Sequence, residues 1–345
     1  MSESIEIKNG EECETVKERA IWLFTTDLHL SLKEKFELGP LSVTVRKGGI
    51  HGILGPVGAG KTTLMRLLAG CIDADGGEIC LRDEKVSTRA TRIKKKIGYV
   101  PETVDLFDDM TASELLNFVG DARRVSSDKR ARQIKEALNL VGLDELKNRP
   151  CGKLTAEQKK RLSIAAALLG NPDVILIDEP IPAGSSERRA ELLGIIRMLG
   201  KMKTVVIATS DLKVARELCE DVSILNEGRL LVSDTLENLE ERLDSRRSLT
   251  LTTKVENAEV LCERIRALSS VISCNVRTSK MGETVLNVEY RSRNDIREAV
   301  SALLAEQGAP VLGMSVEALS LDSLYRSLTG TVGGGSNKKY TGGER

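Results

Sequence analysis

Apolar and polar positions alternate along "AIWLFTTDLHLSL" and "FELGPLSVTV", a period of two that predicts strands exposed on one side. The pattern then shifts to short unbroken apolar runs. "GGIHGIL" and "IGYV" read as strands, the second stopped by Pro101, while "DVILIDEP" and "TVVIATS" are continuous enough for strands buried on both faces. Between these runs the period lengthens to that of a helix. "TTLMRLLAG" carries a stripe of Leu64, Leu67 and Leu68, and "RRAELLGIIRMLG" and "DLKVARELC" read as further helices. Residues 111 to 149 read as a helical insertion. Its first helix, "TASELLNFVGDARR", opens on a Thr111–Glu114 capping box, and "KRARQIKEALNLVGLDEL" follows. Strand and helix in alternation predict a doubly wound α/β core, and "DVSILNEGRLLVSD" a hairpin turning at Asn226–Gly228.

Past about Leu243 the rhythm changes again. "SLTLTTKV", "AEVLCERIRALSSV", "SCNVRTS", "TVLNVEY", "RNDIREAVSALLAEQ" and "PVLGMSVEA" read as a small α+β unit with the size of a separate domain. The expected organisation is a mobile leader over 1–20, a main domain over 21–243 with a helical subdomain at about 103–165, the α+β unit over 244–330, and a glycine-rich disordered tail over 331–345.

Composition narrows the function. A formal net charge of +0, with charged residues spread throughout, excludes an overall basic field, so no nucleic-acid partner is expected; the cluster of Arg92 and Lys94–Lys96 reads as a solvated face. No apolar run approaches the length that spans a bilayer, and the acidic opening segment lacks the character of a signal peptide, so the chain is expected to stay where it is made. Seven scattered cysteines without a C-x-x-C pair, and the isolated His29 and His51, suggest packing roles rather than disulfides or a metal cluster.

The chemistry concentrates in two stretches. "GPVGAGKT", Gly55 to Thr62, fits G-x-x-x-x-G-K-[ST] between a strand and a helix. Backbone N–H groups of Gly55, Pro56's successor Val57, Gly58, Ala59 and Gly60 can wrap phosphates there, while Lys61 reaches the β- and γ-phosphates and Thr62, followed by Thr63, offers a hydroxyl to Mg²⁺. A glycine turn with a chance lysine would not sit in this strand-to-helix context. In "VILIDEP", Asp178 ends a buried strand as a Mg²⁺ acid, and Glu179 is placed to orient or deprotonate an attacking water.

With these elements in this order, residues 20 to 240 resemble the ATP-binding subunits of ABC transporters. The resemblance rests on "GPVGAGKTT", "IGYVPE", "KLTAEQKKRLSIAAALLGNPDVILIDEP", "TVVIATSDLKVARELC" and "SILNEGRLL". It implies a P-loop NTPase core of ABC type that binds ATP and Mg²⁺. The α+β unit, closing on "LSLDSLYRSLTG", looks like the accessory domain of ABC-2 exporter ATPases. In that family two subunits close head to tail, as homodimer or heterodimer with a second ABC ATPase subunit. Each phosphate loop then meets the partner's "LSGGQ" signature, and closure drives an integral membrane permease from the cytoplasmic face of the cell membrane.

The departures from the family are as informative as the matches. Glu102 stands where the family has a glutamine beside Mg²⁺, and Ser210 where it has a switch histidine touching the γ-phosphate. The signature is Leu154, Thr155, Ala156, Glu157 and Gln158, with both glycines replaced and Glu157 expected to set an anion against the partner's ATP. Ser185 and Ser186 occupy the loop that usually ends Gly-Leu-Asp, and no aromatic for adenine is evident: Phe36 or Phe24 could serve, but both read first as core residues. These substitutions lead to an expectation of an ATP-binding transporter subunit with weak intrinsic hydrolysis. The alternatives are a non-hydrolysing regulatory subunit and a non-transport ABC ATPase.

Overall fold

The computed structural model describes residues 20–32, 36–181, 189–244, 246–255, 257–278, 283–291, 295–318, 321 and 325. The leader, the glycine-rich tail and the Ser185–Ser186 loop lie outside the described residues.

The chain opens with β1 (Ile21–Leu32), β2 (Phe36–Leu41), β3 (Thr44–Arg46) and β4 (Ile50–Leu54), followed by α1 (Lys61–Leu68). Next come β5 (Gly76–Leu81), β6 (Glu84–Lys85), α2 (Thr91–Lys94) and β7 (Ile97–Val100). The helical insertion is α3 (Ala112–Ala122) and α4 (Ser127–Leu140), with α5 (Ala156–Leu168) leading into β8 (Val174–Asp178). The core closes with α6 (Arg189–Met202), β9 (Thr204–Thr209), α7 (Leu212–Leu218), β10 (Asp221–Asn226), β11 (Arg229–Thr235) and α8 (Leu236–Asp244). Last are β12 (Arg246–Thr253), α9 (Ala258–Arg266), β13 (Val271–Thr278), β14 (Thr284–Arg291), α10 (Arg297–Glu306) and β15 (Val311–Ala318).

The strands form three sheets. β10, β4, β9, β8 and β7 lie side by side and parallel, with β11 antiparallel on the edge through a hairpin whose turn residues Glu227 and Gly228 both have positive φ. This sheet is buried on both faces, as its unbroken apolar runs require. Ile175 and Ile177 of β8 pack towards α5 and α6, while Val174 and Leu176 pack towards α1 and the antiparallel sheet of β2, β1, β5, β6 and β3. The third sheet, in order β13-β14-β12-β15, has its own core against α9 and α10, and its element order is that of a split βαβ pair.

Three features escaped the sequence pattern: the β5–β6 hairpin, the short α2 and the polar helix α8. The basic cluster is also less solvated than expected, since Lys96 Nζ pairs with Glu84 at 2.9 Å and Lys94 Nζ donates to the Thr88 carbonyl at 3.1 Å. Leu321 and Tyr325, beyond the small sheet, pack back against the core that α5, α6 and β8 share. His51 is buried in β4, where its Nε2 lies 2.9 Å from Ser223 Oγ on β10. Burial, with Arg46 nearby, pulls its pKa down from 6.5 to about 4, so the ring stays neutral.

Candidate functional site

β4 delivers the glycine loop to the carboxyl edge of the parallel sheet, where α1 begins at once. The loop must run close to its neighbours: a Cβ on Gly55 would lie 2.3 Å from the Leu225 carbonyl oxygen, and Gly60, at φ +99°, leaves 2.7 Å to the Phe36 ring. Gly60 is also the N-cap of α1 and supplies no side chain to the helix's first amides. Those amides therefore face the loop without a side-chain partner from their own cap.

A cleft of about 350 Å³ opens over this loop, lined by Phe36, Val57, Gly58, Gly60, Lys61, Thr62, Thr63, Glu102 and Glu179. Eight of the sequence-derived positions, Glu102 among them, thus meet with Phe36 around one space. Phe36, expected as a core residue, is only partly buried and forms one wall of the cleft, whereas Phe24 lies within β1 opposite Thr44 and Cys80. Phe36 opens β2, and the pairing of that strand with β1 places the ring, which periodicity alone cannot resolve.

Lys61 is buried, with its Nζ donating to the Gly55 and Pro56 carbonyls at 2.9 and 3.0 Å and lying 3.5 Å from Glu179 Oε1. Glu179 accepts from the Ser210 amide at 3.0 Å and from the Thr209 hydroxyl at 3.3 Å, so β9 orients its carboxylate. Ser210 is therefore brought to the site, though by its backbone. Glu179 adopts φ +40°, a left-handed conformation costly for a residue with a Cβ, and its own amide donates to the Ala208 carbonyl at 2.8 Å. Tyr325 also comes within electrostatic reach: burial, with the Glu179 charge, pushes its hydroxyl up to about 12.

Asp178 lies beneath the cleft, fully buried, and neither carboxylate oxygen has a hydrogen-bond partner among the described residues. Burial raises its pKa, while the nearby Thr62 hydroxyl works the other way. An orphaned buried carboxylate beside a hydroxyl suits a hard cation, which prefers oxygen ligands. The donor set thus fits Mg²⁺, with Thr62 and Asp178 as the residues that would hold it.

The signature segment stands apart from the cleft: none of Leu154, Thr155, Ala156, Glu157 or Gln158 lines it. Thr155 caps α5, its Oγ1 accepting from the Gln158 amide at 3.2 Å while Gln158 Oε1 accepts from the Thr155 amide at 3.0 Å. Glu157 departs from expectation. Instead of presenting an anion outward it is 5% exposed and pairs with Arg161 one turn on, which also pairs with Glu191 of α6. The i,i+4 spacing of Glu157 and Arg161 carried that signal in the sequence. Pairing neutralises the carboxylate, so the expected repulsion of a partner's nucleotide is largely removed.

Lys160, also missed, is a charged side chain almost fully buried, at 1% exposure. Its Nζ donates to the carbonyls of Asp178 at 2.6 Å, Pro101 at 2.8 Å and Glu102 at 3.4 Å. Burial brings its pKa down to about 8, against the pull of the Asp178, Glu102 and Glu179 charges. The sequence signal was its place on the helix face shared with the buried Ile164 and Ala167.

The architecture is that of a known family. A family model described as ABC transporter matches residues 38–182. The probable multidrug ABC transporter ATP-binding protein YbhF of Escherichia coli (strain K12) is 31% identical over 301 residues, covering 87% of this chain and 50% of YbhF. The chain thus spans half the length of that relative. The uncharacterised ABC transporter ATP-binding protein YxlF of Bacillus subtilis (strain 168) is 34% identical over 202 residues, 59% of this chain and 67% of YxlF. Among solved structures, the dimeric ATP-binding cassette MJ0796 bound to ADP and Pi superposes with a TM-score of 0.57 at 25% identity, covering 62% of this chain and 98% of the cassette. The chain belongs to the ATP-binding proteins of ABC transporters.

Proposed function

We propose that this chain binds MgATP through Gly55–Thr63, hydrolyses it slowly, and couples closure against a second ABC ATPase subunit to a membrane permease of ABC-2 export type. The observation that carries the reading is the cleft itself, where the lysine, threonine and glutamate of phosphoryl transfer converge over a buried, orphaned aspartate. Lys61 would exchange its loop carbonyls for phosphate oxygens, and Glu179, held by Ser210 and Thr209, would take the proton of an attacking water. Mg²⁺, held by Thr62 and Asp178, supplies charge neutralisation at the phosphates. Phe36 would offer its ring to the base.

Slow turnover rests chiefly on Ser210, because a hydroxymethyl is too short to replace an imidazole at the γ-phosphate. Removing a single transition-state donor costs roughly 10² to 10³ in rate. The signature contributes less to the defect than its letters suggest, since Glu157 is paired internally.

Coupling to a permease is supported by an exposed aromatic pair in the segment after Glu102. Phe107 and Phe118, 56% and 51% exposed, meet edge to face with centroids 5.7 Å apart on the helical subdomain. Exposed aromatics of this kind anchor interfaces. No helix among the described residues is long and apolar enough to cross a membrane. The name of another relative, the Nod factor export ATP-binding protein I of Burkholderia lata, 34% identical over 197 residues, supports the direction of export. We further propose that 21–243 and 244–330 are separate domains, the second an accessory unit.

The test is nucleotide binding and turnover of the purified chain, alone and with its permease. Tight MgATP binding with slow turnover is expected, and Ser210→His should raise the rate about tenfold or more. Brisk hydrolysis by the chain alone, abolished by Glu179→Gln, would sink the slow-turnover reading.

A further inference from the structure

Two strand ends of the site, Pro101–Glu102 after β7 and Asp178–Glu179 after β8, converge on one ammonium. Lys160 Nζ donates to the Asp178 carbonyl at 2.6 Å and the Pro101 carbonyl at 2.8 Å, with Glu102 at 3.4 Å. Its three N–H donors therefore match three main-chain acceptors, and its side chain is almost entirely enclosed. Burying a cation is costly, and an aliphatic side chain at this position would pack as well. What the ammonium adds is specific geometry. The Asp178 carbonyl it holds belongs to the peptide just before Glu179, the residue at φ +40°, whose amide is tied on the other side to Ala208.

From this arrangement we infer that Lys160 is a positioning residue: it sets the Asp178–Glu179 peptide and the Glu102 backbone relative to the helix that starts at Thr155. Lys160 sits on the second turn of α5, so a displacement of the Thr155 end is transmitted through one side chain to the strand ends flanking Thr62. The inference rests on the nucleotide-site reading above and deepens it: Lys160 controls the Mg²⁺-dependent part of nucleotide affinity, while the glycine loop and Lys61 supply the rest.

The experiment measures ATP affinity of the full chain with Mg²⁺ and with EDTA, for wild type, Lys160→Met and Lys160→Gln. Methionine keeps length and loses every donor; glutamine keeps two. Unpairing buried carbonyls next to Asp178 should cut the Mg²⁺-dependent gain in affinity about tenfold or more in Lys160→Met. EDTA affinity should stay within about threefold of wild type, and Lys160→Gln should recover part of the gain. If both affinities fall together, or the Mg²⁺ gain is unchanged, Lys160 is a structural residue only and the inference is overturned. Should Lys160→Met fail to fold, the same ratio is decided on Lys160→Gln, where a wild-type value overturns it. A wild-type chain that binds no ATP in either condition would instead overturn the nucleotide-site reading.

Discussion

Two helices of this protein begin at the glycine loop and at the signature segment, and they begin differently. α1 starts from Gly60, a left-handed residue without a capping side chain, and no acidic residue occupies its first turn. α5 starts from Thr155 with a complete capping box, and Glu157 in its first turn is turned inward onto Arg161. The first helix leaves its amides and its positive end to whatever anion enters the cleft. The second satisfies itself, with one amide already taken by Thr155. A signature built this way can keep its fold for structural reasons even where its contact with a second chain's nucleotide is weakened.

The largest effect should come from the open end. Lys61→Ala removes the one buried ammonium of the loop, and two charge-assisted contacts to phosphate are worth together roughly 3–5 kcal/mol. ATP affinity, followed by a fluorescent nucleotide, should fall more than about 100-fold with no comparable loss of thermal stability. A small change would mean that the loop amides alone hold the phosphates.

Acid should separate the two ends next. β4, which delivers the glycine loop, contains the buried neutral His51 with its pKa lowered from 6.5 to about 4. Between these values the unfolded chain binds a proton that the folded chain refuses. Stability is therefore full above about 6.5 and falls as pH drops towards 4, by about 2 kcal/mol at pH 5 and about 3 kcal/mol in total. Denaturant unfolding at pH 7.5 and 5 should show this slope in wild type and a shallower one in His51→Gln. Equal slopes would remove the histidine as the source.

The smallest effect belongs to the self-satisfied end. Thr155→Ala deletes the α5 cap at about 1 kcal/mol of stability, read from a denaturant midpoint. ATP binding by the isolated chain should not change, because no signature residue lines its cleft. A marked loss of affinity would show that α5 reports to the nucleotide site more strongly than the Lys160 contacts predict.

Much of this was legible in the residues. The glycine loop, both capping boxes at Thr111 and Thr155, and the turn at Asn226–Gly228 depend on neighbours within a few positions, and each appears where local chemistry puts it. The β5–β6 hairpin and α8 were not, because their polar, short segments take their shape from the sheets and helices they join. Glu157 shows the boundary most clearly. Its pairing with Arg161 was a local possibility, but the choice of an inward rotamer depends on Glu191, 34 positions away on α6, which shares the same guanidinium.

By itself, then, the sequence determined which groups of this protein can hold phosphate and metal, since that chemistry is set by residue type and by spacing within one turn or loop. Only the tertiary structure decided how those groups are held: that Asp178 is orphaned beneath Thr62, that Phe36 walls the cleft, and that Lys160 spans two strand ends. Each of those facts depends on segments distant in the chain being brought within hydrogen-bond or van der Waals reach, and such short-range forces leave no trace in a linear pattern.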